Sequence, residues 1–179
     1  MMTIQESLVF REVQRFALWL RAAIVLVAVA MVALCWFVLA KTASEQGAAQ
    51  VFVVISCVAL MVILPVGIAV FFLMLKLETE VRRDGLYIRF FPIHIRYRRF
   101  TRADIVRHFA CSYRPIRDYG GWGIRFGPQG KAYNVSGNRG VQLVFRDGKR
   151  LLIGSQKADE LAEAIGAITE SSEVATNVQ

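Results

Sequence analysis

Two long runs without a single charge constrain everything else in this 179-residue chain. Residues 22–40 read AAIVLVAVAMVALCWFVLA, and residues 51–75 read VFVVISCVALMVILPVGIAVFFLML. A helix needs about 20 apolar residues to cross the ~30 Å hydrocarbon core of a bilayer, and each run is about that long. A chain of this size has too little mass to bury two such helices on every side. The runs are read as transmembrane helices over 22–40 and 51–75, with an external loop over 41–50. No Asp, Glu, Lys, Arg or His stands inside either run, so nothing marks an ion or proton path.

The basic residues set the orientation. Arg11, Arg15 and Arg21 precede the first run, and Lys76, Arg82, Arg83 and Arg89 follow the second. The ten residues between the runs hold one Lys and one Glu. The positive-inside rule predicts a two-pass protein of the inner membrane with both termini cytoplasmic. Upstream, Leu8, Val9, Val13, Phe16, Ala17 and Leu20 recur at helical spacing between Glu6, Arg11, Glu12 and Arg15. That spacing predicts an amphipathic helix over 1–21 at the membrane interface, the alternative being a frayed tail.

After the second run the period changes to two. LETEVRR and LYIRFF flank Asp84-Gly85, and GVQLVFR and KRLLIGS flank Asp147-Gly148. Both are two-residue hairpin signals. HIRYRRF and IVRHFACSY read as further strands. Residues 120–140, GGWGIRFGPQGKAYNVSGNRG, hold seven of the 13 glycines. Their spacing misses the dinucleotide-loop pattern by one residue, and no helix follows to hold a pyrophosphate. WGIRF and KAYNV read as strands, with GPQG and SGNRG as turns. QKADELAEAIGAIT places Leu161, Ala164, Ile165 and Ile168 on one helical stripe, with acidic residues in the first turn. The fold class is therefore an α+β membrane protein. An N-terminal transmembrane hairpin is followed, over 77–169, by about seven antiparallel strands in a small barrel or sandwich capped by a C-terminal helix. A polar tail over 170–179 is expected to be disordered.

Two spans, then DYGGWGIR, KAYNVSGNRGVQL, a DG hairpin, LLIGSQ and DELAEAI, with FREVQRF ahead of the first span: this order resembles a family of small uncharacterised prokaryotic membrane proteins. Their soluble part is similar to bacterial pleckstrin-homology (PH) domains. The resemblance implies a seven-stranded PH-like barrel closed by the last helix, and no activity. The basic pattern by which eukaryotic PH domains hold phosphoinositides is not reproduced, because the first turn is the short RRDG and RYRR comes a strand later.

No metal-ligand spacing surrounds His94 or His108, and Cys35, Cys57 and Cys111 read as small apolar fillers. No nucleophile, paired carboxylates or cofactor loop stands out, so neither an enzyme nor a cofactor is expected. Charge is the remaining signal. From Lys76 onward there are 18 Lys and Arg against 11 Asp and Glu, and from Arg82 to Arg107 eight against two. Basic residues close to a membrane attract anionic lipid, and that proximity explains them before nucleic acid does, so no nucleic acid is expected. Arg96 and Arg98 are expected to share a strand face with His94. The expected role is a membrane-anchored scaffold or regulatory binding module, working with a membrane-protein partner or a second copy. The alternative is recognition of anionic lipid head groups by Arg82, Arg83, Arg89, His94, Arg96 and Arg98.

Overall fold

The computed structural model describes residues 8–42 and 48–176. In chain order the elements are strand β1 (Leu8–Arg15), helices α1 (Leu18–Thr42) and α2 (Ala48–Met74), and strands β2 (Lys76–Arg82), β3 (Gly85–Phe91), β4 (Arg98–Thr101) and β5 (Ile105–Ser112). The short helix α3 (Pro115–Tyr119) follows, then β6 (Gly123–Gly127), β7 (Gly130–Asn134), β8 (Arg139–Phe145), β9 (Arg150–Gly154) and helix α4 (Ala158–Thr176). The chain divides into two units. One holds residues 16–75, and the other joins the N-terminal strand to everything after Leu75.

In the helical unit, Leu18–Lys41 and Phe52–Met74 are long and apolar enough to cross a membrane, each with a mean hydropathy of 2.9. Most of their side chains are exposed. Where the helices pack on each other, Cys35 and Ala69 are buried, and the Phe16 and Phe72 rings meet at 6.1 Å. Helix α2 runs on through Pro65. Of the expected external loop, residues 43–47 lie outside the described residues, and both flanks are helical.

The β unit corrects several expectations. Residues 8–15 form a strand and not an amphipathic helix; residues 1–7 lie outside the described residues. β1 runs antiparallel to β2, with Arg15 opposite Lys76, Val13 opposite Glu78 and Phe10 opposite Val81. The face it turns inward carries Phe10, Glu12 and Gln14. Two of these are polar, so the period of two left no hydrophobic trace, whereas the apolar residues happened to fall at helical intervals. Those polar residues bind specific partners. Gln14 is buried and donates to the Gly154 carbonyl at 2.7 Å. Glu12 accepts from the Ser155 hydroxyl at 2.6 Å and the Gln156 amide at 3.0 Å. The module therefore begins at β1, not at residue 77.

Among the described residues there are nine strands in two sheets, not about seven in a closed barrel. The first sheet has the order β1-β2-β3-β4, and the second β5-β8-β9-β7-β6. β7 pairs with β9 in parallel, which a pure antiparallel meander excludes. β8 and β9 form the expected Asp147-Gly148 hairpin, and β2 and β3 the Asp84-Gly85 hairpin. Gly130 has φ +101°, and a Cβ there would lie 2.3 Å from the Arg150 carbonyl oxygen. Only glycine permits both. Of the glycines of residues 120–140, Gly120, Gly121 and Gly137 stand in bends as they were read, whereas Gly123, Gly127, Gly130 and Gly140 lie within strands.

Alternation builds the core. Leu77, Val81, Leu86, Ile88 and Phe90 of the first sheet face inward, and so do Val141, Leu143 and Ile153 of the second; each is at most 1% exposed. Helix α4 packs against β1, β2, β5 and β8, and its expected stripe of Leu161, Ala164, Ile165 and Ile168 is buried. α4 continues to Thr176, where a disordered tail was expected. Residues 170–176 contain no Gly or Pro to stop it, and 177–179 lie outside the described residues. On the opposite face of the second sheet, Tyr113, Tyr119, Ala132 and Leu152 form a smaller cluster.

Because Arg15 pairs with Lys76, an Asn-Gly turn should replace residues 16–75 and leave a folded, water-soluble module. The closed module should melt cooperatively. Residues 77–169 alone lack β1 and its bonds to Gly154–Gln156. They should be destabilised by ~3 kcal/mol or more, or fail to fold, in a urea titration followed by circular dichroism. Equal stability of the two would refute the pairing.

Candidate functional site

The sequence KLETEVR alternates so that Leu77, Thr79 and Val81 turn inward, while Lys76, Glu78, Glu80 and Arg82 turn outward. The partner strands add Arg11 and Val13 from β1, Tyr87 and Arg89 from β3, and Arg99 from β4 to that outer face. Glu78 and Glu80 are only 2% and 5% exposed there. A buried carboxylate needs partners, and both have several. Glu78 takes Lys76 Nζ at 2.7 Å, Arg89 at 2.5 and 2.9 Å, and the Tyr97 hydroxyl at 2.7 Å. Glu80 takes Arg82 at 2.5 and 3.1 Å, Tyr97 at 3.1 Å and Arg11 at 3.4 Å. The guanidinium of Arg89 lies 4.5 Å from the Tyr97 ring centre, and that of Arg82 4.5 Å from Tyr87.

Burial alone would raise the Glu78 pKa. The hydrogen bonds from Lys76, Tyr97 and Arg89 together outweigh it and hold the carboxyl down at about 2, against an ordinary 4.5. Tyr97 moves the other way: burial first, then the Glu78 carboxylate, push its phenol up.

The six predicted residues do not form one basic face. Arg82 and Arg89 are held by Glu80 and Glu78 and are structural members of the outer network. Arg83 is exposed beside the β2–β3 turn. Residues 93–97 are not a strand. Pro92, which has no amide hydrogen to offer a ladder, follows Phe91 through a cis bond, and pairing resumes only at Arg98. His94 is partly buried, edge-on to Tyr133 at 5.8 Å, and its Nδ1 has no partner. Its pKa is lowered, by burial first and then by Arg98 and Lys131. Arg96 is exposed and makes no ion pair or hydrogen bond among the described residues. Arg98 pairs with Ile88, so its register is that of the inward side, not the shared outward face expected for it.

Sequence reasoning missed the basic residues on the second sheet, Lys131, Arg146, Lys149 and Arg150. The run FRDGKR was read only as a hairpin, although its four charges beside a turn were visible. It also missed Glu78 and Glu80, which the alternation of KLETEVR places among the cations.

A family of unknown function, DUF6141, matches residues 1–172. The chain belongs to the DUF6141 family. The match takes in β1, both apolar helices and most of α4, so the DUF6141 region is the entire two-unit arrangement and not a domain within it. No curated protein and no solved structure matched this DUF6141 chain.

The Glu78 network makes a pH prediction. Its depressed pKa gives stability that is complete above about pH 4.5 and is lost as pH falls towards 2. Glu78→Gln in the closed module should lose about 3 kcal/mol at pH 7 by urea unfolding. The gap to wild type should shrink between pH 4.5 and 2. A gap that stays constant through that range would show that the carboxylate charge is not what stabilises the sheet.

Proposed function

We propose that this DUF6141 chain is a two-pass membrane protein with both termini on the cytoplasmic side of the inner membrane. Its β unit is a PH-like binding module, a scaffold or regulatory element for a membrane-protein partner, and not an enzyme. The observation that carries this is the shortness of the two links. β1 ends at Arg15 and α1 begins at Leu18; α2 ends at Met74 and β2 begins at Lys76. With one or two residues between strand and helix, no tether lets the module leave the bilayer. Support for membrane insertion comes from the two apolar helices, most of whose described side chains are exposed, and from the excess of Lys and Arg outside the short loop. Two sheets with a C-terminal helix are the parts a PH-like module is built from, although the parallel β7–β9 pair departs from that plan.

A second reading, contact with anionic lipid head groups, is favoured by the segment after β3. Ile93 and Ile95 are 52% and 77% exposed and lie beside exposed Arg96 and Arg98. This segment follows Phe91, which pairs with Lys76, the first strand residue after the second apolar helix. Apolar tips among cations suit the bilayer interface.

Reporters test the first reading. One fused after Gln179 should work only in the cytoplasm, and one inserted at Gly47 only outside. The reverse pattern would overturn the topology. For the second, an environment-sensitive dye on Ile95→Cys should shift to the blue in nanodiscs containing phosphatidylglycerol but not in phosphatidylcholine discs. Arg96→Gln should weaken that response about 5-fold. An unchanged spectrum in both discs leaves the segment to a protein partner.

A further inference from the structure

Away from the outer network, a cleft of about 500 Å³ opens between the two sheets, where the β4 edge faces β7 and the β8–β9 hairpin. Six cations line it: Arg98, Arg99, Lys131, Arg146, Lys149 and Arg150. Among the described residues, Asp104 and Asp147 are the only acids in its wall.

The acids are already engaged. Asp147 holds Lys149 at 2.6 Å, and Asp104 accepts from the Thr101 hydroxyl. Arg99 pairs with Asp84 at 3.2 Å, and Arg146 donates to the Ala103 carbonyl at 2.8 Å. Among the described residues, four of the six cations have no carboxylate partner: Arg146, which is held by that carbonyl, and Arg98, Lys131 and Arg150. Arg98 and Arg150 make no ion pair or side-chain hydrogen bond among the described residues. Lys131 rests over Tyr133, 4.8 Å from the ring centre.

The floor is apolar. Phe100 and Phe145 stack at 5.2 Å with an interplanar angle of 23°, and Leu151 completes it. Tyr133 also lines the cleft, is 1% exposed, and its hydroxyl is buried without a hydrogen-bond partner. Like charges gathered over an apolar floor repel one another and focus a positive potential into the cleft. A ligand with a concentrated negative charge relieves that repulsion.

We propose that this cleft is a binding site for a phosphate ester, with the guanidinium groups of Arg98 and Arg150 and the ammonium of Lys131 on the phosphate and the organic part of the ester on the Phe100–Phe145 floor. Arginine forks match phosphate oxygens two at a time, which favours phosphate over a single carboxylate. The same chemistry occurs in a phospholipid head group and in a water-soluble phosphorylated metabolite. The proposal rests on reading the β unit as a binding module, but not on the membrane topology.

The test uses the full chain in dodecyl maltoside micelles and phosphate-free buffer, with two probes followed by isothermal titration calorimetry. They are glycerol 3-phosphate and dihexanoyl phosphatidic acid. At least one should bind with a dissociation constant below ~1 mM. Arg98→Gln/Arg150→Gln should weaken it by roughly 30-fold or more. Both arginines are exposed, so the melting temperature without probe should hold; Arg150→Lys, which keeps the charge and removes the fork, should bind less tightly than wild type as well. Arg107→Gln, an exposed cation outside the cleft, should bind as wild type does. Preference for the lipid probe identifies a head-group site, and preference for glycerol 3-phosphate a soluble ligand. The proposal is overturned if neither probe binds wild type at 10 mM, an upper concentration on the order of ten times the expected limit. It is also overturned if the double variant binds within about 3-fold of wild type, or if Arg107→Gln loses as much as it does. None of these results depends on the topology reporters, so the two readings fail separately.

Discussion

The pairing of β1 with β2 is the contact on which the rest of this molecule depends. It joins residues on either side of both apolar helices, with Arg15 opposite Lys76. Closing a flexible loop as long as residues 16–75 costs roughly 4 kcal/mol of chain entropy on the logarithmic scaling of loop closure. Two helices that pack on each other and return the chain to its starting side lower that cost. The ladder then completes the first sheet, and Gln14 and Glu12 fasten it to the end of β9 through Gly154, Ser155 and Gln156. The helical unit and the β unit are thus parts of one folding problem. The DUF6141 match over residues 1–172 covers both.

The charge on the β unit divides into two functional classes. On the outer face of the first sheet, two buried carboxylates neutralise Lys76, Arg82 and Arg89 and hold the Tyr97 hydroxyl between them. Those arginines stabilise the sheet, and removing a carboxylate would leave half-buried cations unpaired. Around the cleft and in residues 93–98, Arg96, Arg98 and Arg150 have no such partner among the described residues. A net positive count cannot separate these classes. The register separates them, because it decides which cation meets Glu78 or Glu80.

Much of the fold was legible in the sequence wherever one residue type signals one conformation. The uncharged runs, Asp84-Gly85, Asp147-Gly148 and the stripe from Leu161 to Ile168 each formed the element they predict. β1 was not legible, because Glu12 and Gln14 occupy its inward face and take hydrogen bonds where an apolar residue would have marked a strand. The third expected strand began late, because Pro92 removes a donor and residues 93–97 stay out of the ladder. The division into two sheets depends on which distant strands pair, above all the parallel contact of β7 with β9, and local patterns carry no information on that. Of the candidate site, the basic character was visible. The split of its arginines between a structural network and an open cleft was not.

The most direct measurement of the central claim is cross-linking between β1 and β2 in the full chain. With Cys35, Cys57 and Cys111 changed to Ser, the pair Arg15→Cys/Lys76→Cys should oxidise to an intramolecular disulfide in high yield. Leu8→Cys/Lys76→Cys should not, because Leu8 lies opposite Arg82 at the far end of the ladder. An interfacial helix over residues 8–15 would give no such preference. Equal yields for the two pairs, or no disulfide in the first, would contradict the account.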